Sequence, residues 1–299
     1  MKITELLRDA SERGEPIFSF EFFPPKSEAG VTALFESIRA LRPLNPAFVS
    51  VTWGAGGSTG PRSLDLVRRI EEESELLAMA HITCVGASRD ELLGTLAAAQ
   101  AAGIENVLLL RGDPPRGQPH FVPHPDGLAH ASDLVALART LPGKPLCIGA
   151  ACYPEAHVEN RDKLADLRFL KKKVDAGAQF LITQLFFDNR FYFEFVDRAR
   201  AAGIEVPILP GIMPITNVDQ IERFTALCGS TIPPKLSAAL RVRKADPEAA
   251  LQLGVAWATL QCADLLKRGA PGIHFCTLNR SPASRAILAA LRAMEPWRG

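Results

Sequence analysis

The chain has 299 residues, 47% of them hydrophobic and 22% charged, an ordinary globular mixture long enough to bury a sizeable core. Its 34 Lys and Arg nearly balance 33 Asp and Glu, so no global field draws it to nucleic acid or to an anionic membrane. The six cysteines form no CxxC pair, the N-terminus lacks an apolar signal region, and no apolar run approaches the ~18 residues of a membrane span. The expectation is a cytoplasmic protein with reduced thiols, without disulfides or zinc.

In chain order, short apolar β-rich runs alternate with longer segments of helical period. Ile17–Phe22 reads as a strand, with a helix near Gly30–Leu41. Phe48–Thr52 precedes a helix over Pro61–Glu73, and Leu77–Thr83 precedes Glu91–Ala102. Val107–Leu110 leads into a long Pro/Gly/His-rich loop and a helix beginning near Ser132. Leu146–Ala151 is followed by Lys163–Ala176, and Phe180–Gln184 by Phe191–Ala202. Val206–Leu209 is a seventh strand, with helices over Val218–Cys228 and Asp246–Arg268. Gly272–Cys276 is the eighth, and Pro282–Met294 the last helix. Eight strand–helix units in one series predict a single domain over 1–299: an α/β (β/α)8 TIM barrel of parallel strands, with its site at the strand C-terminal ends. Glycines after Ala102, Ala176 and Ala202 predict left-handed helix ends. They mark architecture only.

The polar residues that close each strand should converge on one mouth: Glu21, Thr52, His81, Arg111 to Asp113, Tyr153, Gln184 and Asn279-Arg280. Glu21 lies among aromatics and prolines, surroundings that raise a carboxyl pKa and suit a general acid; the alternative is an ion pair with a neighbouring cation. Asp113 could act in the site or simply pair with Arg111, and His81 could be a satisfied core histidine. Gly54–Gly60 could cradle a phosphate or only make a tight turn. Lys171 to Lys173 read at first as a solvated helix face. His120, His124 and His130 look like metal spacing, but Pro123 and Pro125 forbid the single-helix arrangement, and no metal is expected.

Eight strings fall in order at these positions. They are Ser19–Lys26 (SFEFFPPK), Val51–Gly57 (VTWGAGG), Leu110–Pro115 (LRGDPP), Tyr153–His157 (YPEAH), Lys173–Ala178 (KVDAGA), Ile182–Gln184 (ITQ), Pro210–Pro214 (PGIMP) and His274–Arg280 (HFCTLNR). Together, from about Phe18 to Arg280, the chain resembles the methylenetetrahydrofolate reductase family. The resemblance implies FAD at the barrel mouth, reduced by NAD(P)H in a ping-pong scheme and reoxidised by 5,10-methylenetetrahydrofolate, which becomes 5-methyltetrahydrofolate. NADH is the preferred donor in the bacterial members that the chain is most like, and a homo-oligomer is the family expectation.

By the same resemblance Glu21 is the general acid that protonates folate N10, opening the ring to an iminium at N5. Asp113 is the acidic residue near the flavin pyrimidine, disfavouring the anionic reduced flavin and stabilising the cationic iminium. Thr52, Ala55, His81, Arg111, Gly112, Ala131, Tyr153, His157, Asp166, Lys172 and Lys173 match FAD contacts, the lysines facing the pyrophosphate. Gln184, Gln220, Phe224 and Arg280 match substrate contacts. Trp53 and His130 stand where family members often carry Tyr, and both are expected to touch the cofactor. The chain ends after the barrel, so no S-adenosylmethionine-sensing domain and no such feedback are expected. Competing readings are another flavin barrel resembling proline dehydrogenase, or a barrel that binds folate or phosphate without catalysis.

Overall fold

The structure, a computed structural model, describes residues 1–53, 60–114, 117–118, 120–279 and 281–299. Ala55, Arg280 and most of the Gly54–Gly60 run, all singled out above, lie outside the described residues. The strands are β1 (Ile17–Phe22), β2 (Phe48–Val51), β3 (Ala78–Thr83), β4 (Asn106–Leu110), β5 (Cys147–Cys152), β6 (Phe180–Thr183), β7 (Ile208–Leu209), β8 (Gly211–Ile212) and β9 (Gly272–Cys276). Each pairs in parallel with its neighbours, in the order β7-β6-β5-β4-β3-β2-β1-β9-β8. Nearly every strand residue is buried, as a sheet covered on both faces requires. The expected TIM barrel is the fold found.

The seventh strand departs from expectation. Instead of Val206–Leu209 it is two short pieces, β7 bonded to β6 and β8 to β9, with Pro210 between them. Proline has no N–H to give a ladder, so the strand breaks there. Its carbonyl still accepts from the His274 N–H at 3.0 Å. The Gly211 N–H donates to Thr183 Oγ1 at 2.9 Å, and a Cβ on Gly211 would fall 2.2 Å from the Thr183 carbonyl oxygen. The two pieces thereby close the barrel.

Helices α2 (Glu28–Leu41), α3 (Gly60–Ser74), α4 (Arg89–Ala101), α5 (Ala131–Arg139), α6 (Lys163–Asp175), α7 (Asn189–Ala201), α8 (Val218–Cys228), α10 (Pro247–Lys267) and α11 (Ser281–Met294) fall within a few residues of the expected spans. The first begins earlier than expected because Ser27 caps it, its hydroxyl accepting from the Gly30 N–H at 3.2 Å. The three Ala-Gly ends take positive φ at Gly103, Gly177 and Gly203. By length and composition α10 could cross a membrane. Here it covers the barrel, burying Ala250, Gly254, Ala258, Cys262, Leu265 and Leu266.

Two helices were not expected from the sequence. In α1 (Ile3–Glu12), Ile3, Leu7 and Ala10 form one apolar stripe that plugs the N-terminal end of the barrel against Ile17, Phe48, Met79, Leu108 and Phe180. Asn106 ties it down, its Oδ1 accepting from the Ile3 N–H at 2.8 Å and its Nδ2 donating to the Met1 carbonyl at 3.0 Å. In α9 (Pro234–Val242), Leu236 and Leu240 join a separate cluster with Met213, Ile215 and Ile221 beneath α8.

Candidate active site

The strand C-terminal ends place Glu21 between two histidines. Its Oε2 lies 3.6 Å from His81 Nε2, at the β3 end, and 3.5 Å from His274 Nε2, on β9. Ser19 Oγ and His274 Nδ1 are hydrogen-bonded at 2.8 Å. The tautomer in which Ser19 donates leaves the Nε2 proton of His274 aimed at the carboxylate. Both imidazoles are buried, while the Glu21 side chain keeps 17% of its surface open to the mouth.

Burial pushes the Glu21 carboxyl up, but the facing imidazole of His274 and then that of His81 outweigh it, and the group sits below the ordinary range. The sequence reading expected the opposite direction. The apolar neighbours of Glu21 along its own strand push the carboxyl up, whereas the decisive neighbours come from β3 and β9. Burial also pushes His81 down to about 4, with Glu21 pulling the other way. His81 is therefore neutral at pH 7, and its charge bears on Glu21 only in acid. His81 is thus both a buried histidine and a neighbour of Glu21.

After β4 the chain turns at Gly112, whose φ is +90 and whose absent Cβ would meet Val85 at 2.8 Å. Only glycine is accommodated there. Arg111 does not pair with Asp113: its Nη1 donates to Glu159 Oε2 at 2.6 Å, and its guanidinium lies 4.6 Å from the Phe121 ring centroid. Asp113 is left exposed at the mouth, where its charge reaches Tyr153, His157 and Cys228. Burial, then Asp113, raises the Cys228 thiol to about 11.

Tyr153 and His157 meet edge to face, ring centroids 4.7 Å apart. The three lysines of α6 go three ways. Lys171 pairs with Asp175, Lys172 stays exposed over the Phe169 ring, and Lys173 turns inward to donate to the Ala151 carbonyl at 2.9 Å, its ammonium 5.6 Å from the Tyr153 ring. Burial lowers Lys173 and raises Asp166. The solvated-face reading holds for Lys171 and Lys172 and fails for Lys173. His130 precedes α5, its N–H donating to Asp133 Oδ2 at 3.0 Å, and Ala131 is buried behind it.

Thr52, half-buried after β2, donates its N–H to the Phe22 carbonyl at 2.9 Å, and Trp53 packs on the main core. On the other side, Gln184 is half-buried after β6 and Gln220, in the first turn of α8, lines a cavity of about 450 Å³ with Thr216, Arg223, Cys276 and Thr277. Phe224 packs in the cluster beneath that helix. Among the described residues, the strand-end residues Glu21, His81, Arg111, Tyr153 and Gln184 lie at the C-terminal ends of neighbouring strands, on one side of the barrel. In the sequence His274 stands out only as the first residue of the His274–Arg280 string. The signal that could have found it is its place two residues before Cys276, opposite Ser19 in the β1–β9 register.

Two buried hydroxyls around this mouth, Thr52 Oγ1 and Thr83 Oγ1, have no hydrogen-bond partner, whereas the Nε2 atoms of His81 and His274 face the Glu21 carboxylate at 3.6 and 3.5 Å. Orphaned polar groups clustered at one place are costly unless a ligand meets them.

The profile of the methylenetetrahydrofolate reductase family matches residues 6–292. A 5,10-methylenetetrahydrofolate reductase of Salmonella typhimurium is 38% identical over 284 residues, covering 94% of this chain and 93% of that one. Methylenetetrahydrofolate reductase (NADH) 1 of Arabidopsis thaliana is 41% identical over 315 residues, and the chain spans about half of its length, 53%. An uncharacterized protein from Clostridium thermocellum, solved with two copies of 5-methyl-5,6,7,8-tetrahydrofolic acid, has a TM-score of 0.64 at 17% identity, over 97% of this chain and 99% of that one. At that identity the likeness is one of fold.

Proposed function

Because the chain belongs to the methylenetetrahydrofolate reductase family, we propose that it reduces 5,10-methylenetetrahydrofolate to 5-methyltetrahydrofolate, with NADH as donor and FAD as resident cofactor. The observation that carries this reading is the mouth-facing Glu21 held between His81 and His274, with Asp113 exposed at the same rim. NADH is favoured because a plant relative that is 41% identical carries it in its name.

The residues present fit FAD. The orphaned Thr52 and Thr83 hydroxyls offer hydrogen bonds to a polar ring edge, the positive-φ turn at Gly112 lets a flat ring approach backbone, and Lys173 with Arg111 offers positive charge for a diphosphate. Bound FAD supplies the two-electron chemistry, accepting hydride from the nucleotide and yielding it to the folate. Thr52, Trp53, His81, Arg111, Gly112, His130, Ala131, Tyr153, His157, Asp166, Lys172 and Lys173 are the residues assigned to hold it.

Glu21 handles the proton. It protonates folate N10, and the N10–methylene bond breaks as the methylene carbon becomes an iminium at N5 that accepts hydride. In the ligand-free chain the carboxyl is ionised at neutral pH, so it must first gain a proton, which solvent can deliver through the open mouth before the substrate closes it. A substrate covering the mouth excludes water and increases the burial penalty on the carboxylate, which favours the protonated form. Asp113 places negative charge where the iminium develops. Gln184, Gln220 and Phe224 orient the folate.

An absorption spectrum of the purified protein tests this, followed by anaerobic NADH and then methylenetetrahydrofolate. Flavin bands near ~450 nm that bleach with NADH and return with the folate are expected. Bleaching without return would remove the folate assignment, and a protein that stays colourless after added FAD would remove the flavin.

A further inference from the structure

Phe169 is 45% exposed, so much of its ring surface is open to a ligand. It sits on α6 three residues after Asp166 and four before Lys173, so all three share one helix face. The ring has neighbours but no cover. The Lys172 ammonium lies 5.4 Å from its centroid, and the His130 ring, from the start of α5, lies 6.1 Å away and tilted by 33°. The result is an apolar platform in the groove between α5 and α6, flanked by a cation and an imidazole.

The residues on either side of this platform, Asp166, Lys172, Lys173 and His130, are ones assigned above to FAD. The flavin ring itself has to lie over the strand ends, where hydride can reach a folate protonated by Glu21. The other flat ring of the cofactor is adenine, and a flat π-system stacks on an exposed aromatic face whatever its hydrogen-bonding edges. A cation already placed at the ring adds to that attraction. We infer that Phe169 is the platform on which the adenine of bound FAD stacks, and that it makes the chain selective for FAD over FMN, which lacks adenine. This inference rests on the flavin reading.

Dissociation constants of FAD and FMN for the flavin-stripped chain, read from quenching of flavin fluorescence, test it. The unaltered chain should bind FAD more tightly than FMN. Phe169→Ala should weaken FAD by roughly 5- to 150-fold, the span that base–aromatic stacking gives, and change FMN less than about twofold. Phe169→Leu, which keeps apolar bulk but not the π-face, should lose FAD affinity as well, and Phe169→Trp should restore it. Equal weakening of both flavins by Phe169→Ala, or of neither, overturns the inference. So does an unaltered chain that binds FMN as tightly as FAD, although the flavin reading would then survive. An unaltered chain that binds neither flavin would instead defeat the flavin reading itself.

Discussion

Glu21 and His274 meet across two neighbouring parallel strands, Oε2 3.5 Å from Nε2. The register makes this possible: Ser19 pairs with His274 and Glu21 with Cys276, so Ser19 and Glu21, two residues apart, present side chains on one face and a single imidazole reaches both. His274 is the strongest of the groups holding the carboxyl below its ordinary range, against burial. With His274→Ala, burial acts with less opposition and the Glu21 pKa rises. An acid must be protonated to work, so the alkaline limb of the folate half-reaction should move to higher pH. Stopped-flow rates of flavin reoxidation across pH check this. A limb that stays in place would separate His274 from the acid.

Glu21→Gln keeps the shape of the side chain and removes its proton. Flavin reduction by NADH should continue within a few-fold of normal, and reduction of methylenetetrahydrofolate should fall by ~10²–10⁴, the usual share of a positioned general acid. The two half-reactions measured separately give the answer. Normal rates in both would show that Glu21 is not the acid.

The alternation of buried runs with helical segments was enough to reveal the barrel, and strand-end position was enough to gather Glu21, His81, Arg111, Tyr153 and Gln184 at one mouth. What the sequence hid was mostly contact between distant segments. The direction of the Glu21 shift depends on His81 and His274, 60 and 253 residues away in the chain. Arg111 finds Glu159 rather than its neighbour Asp113, because Gly112 turns the chain between them and no periodicity records such a turn. The plug α1 carries a clear apolar stripe, but it precedes the first strand, so the strand–helix alternation gives it no place until the barrel floor is there to meet Ile3, Leu7 and Ala10. Pro210 was visible as a residue, yet its effect, one strand in two pieces, required knowing that β6 and β9 both press on it.

His81 carries a stability signature. In the folded chain it titrates near pH 4, well below the ~6.5 of an unfolded histidine. Between those values the unfolded chain binds the additional proton, so stability rises with pH through the window and is lost as pH falls toward 4. The change should reach up to about 3 kcal/mol. Glu21, also depressed, contributes with the same sign below its unfolded pKa. Urea unfolding at several pH values should show this slope, and His81→Asn should flatten it between pH 4 and pH 6.5.

Leu7→Ala should cost about 2–5 kcal/mol of stability, the range for a buried leucine cut to alanine. Leu7 packs in the floor of the barrel, at the end opposite Glu21, where residues bear on stability rather than chemistry. Denaturant midpoints should drop while FAD affinity and both half-reactions, measured under folding conditions, stay within about twofold. A change in the half-reactions without loss of stability would contradict this division of the barrel into floor and mouth.

The three adjacent lysines of α6 offer an internal control. Lys173 is turned inward toward Ala151 and Tyr153, whereas Lys171 is tied to Asp175 on the outer surface. If Lys173 meets the diphosphate of FAD, Lys173→Met removes a charge-assisted contact and should weaken FAD by about 10- to 100-fold. Lys171→Ala should leave FAD affinity unchanged, because its ammonium already has a partner and faces solvent. Both variants lower the net charge by one, so their comparison separates a specific contact from the general field, which salt would screen over about 8–10 Å. Equal and modest weakening by the two would mean that the lysines act only through that field, and Lys173 would lose its assigned place at the cofactor.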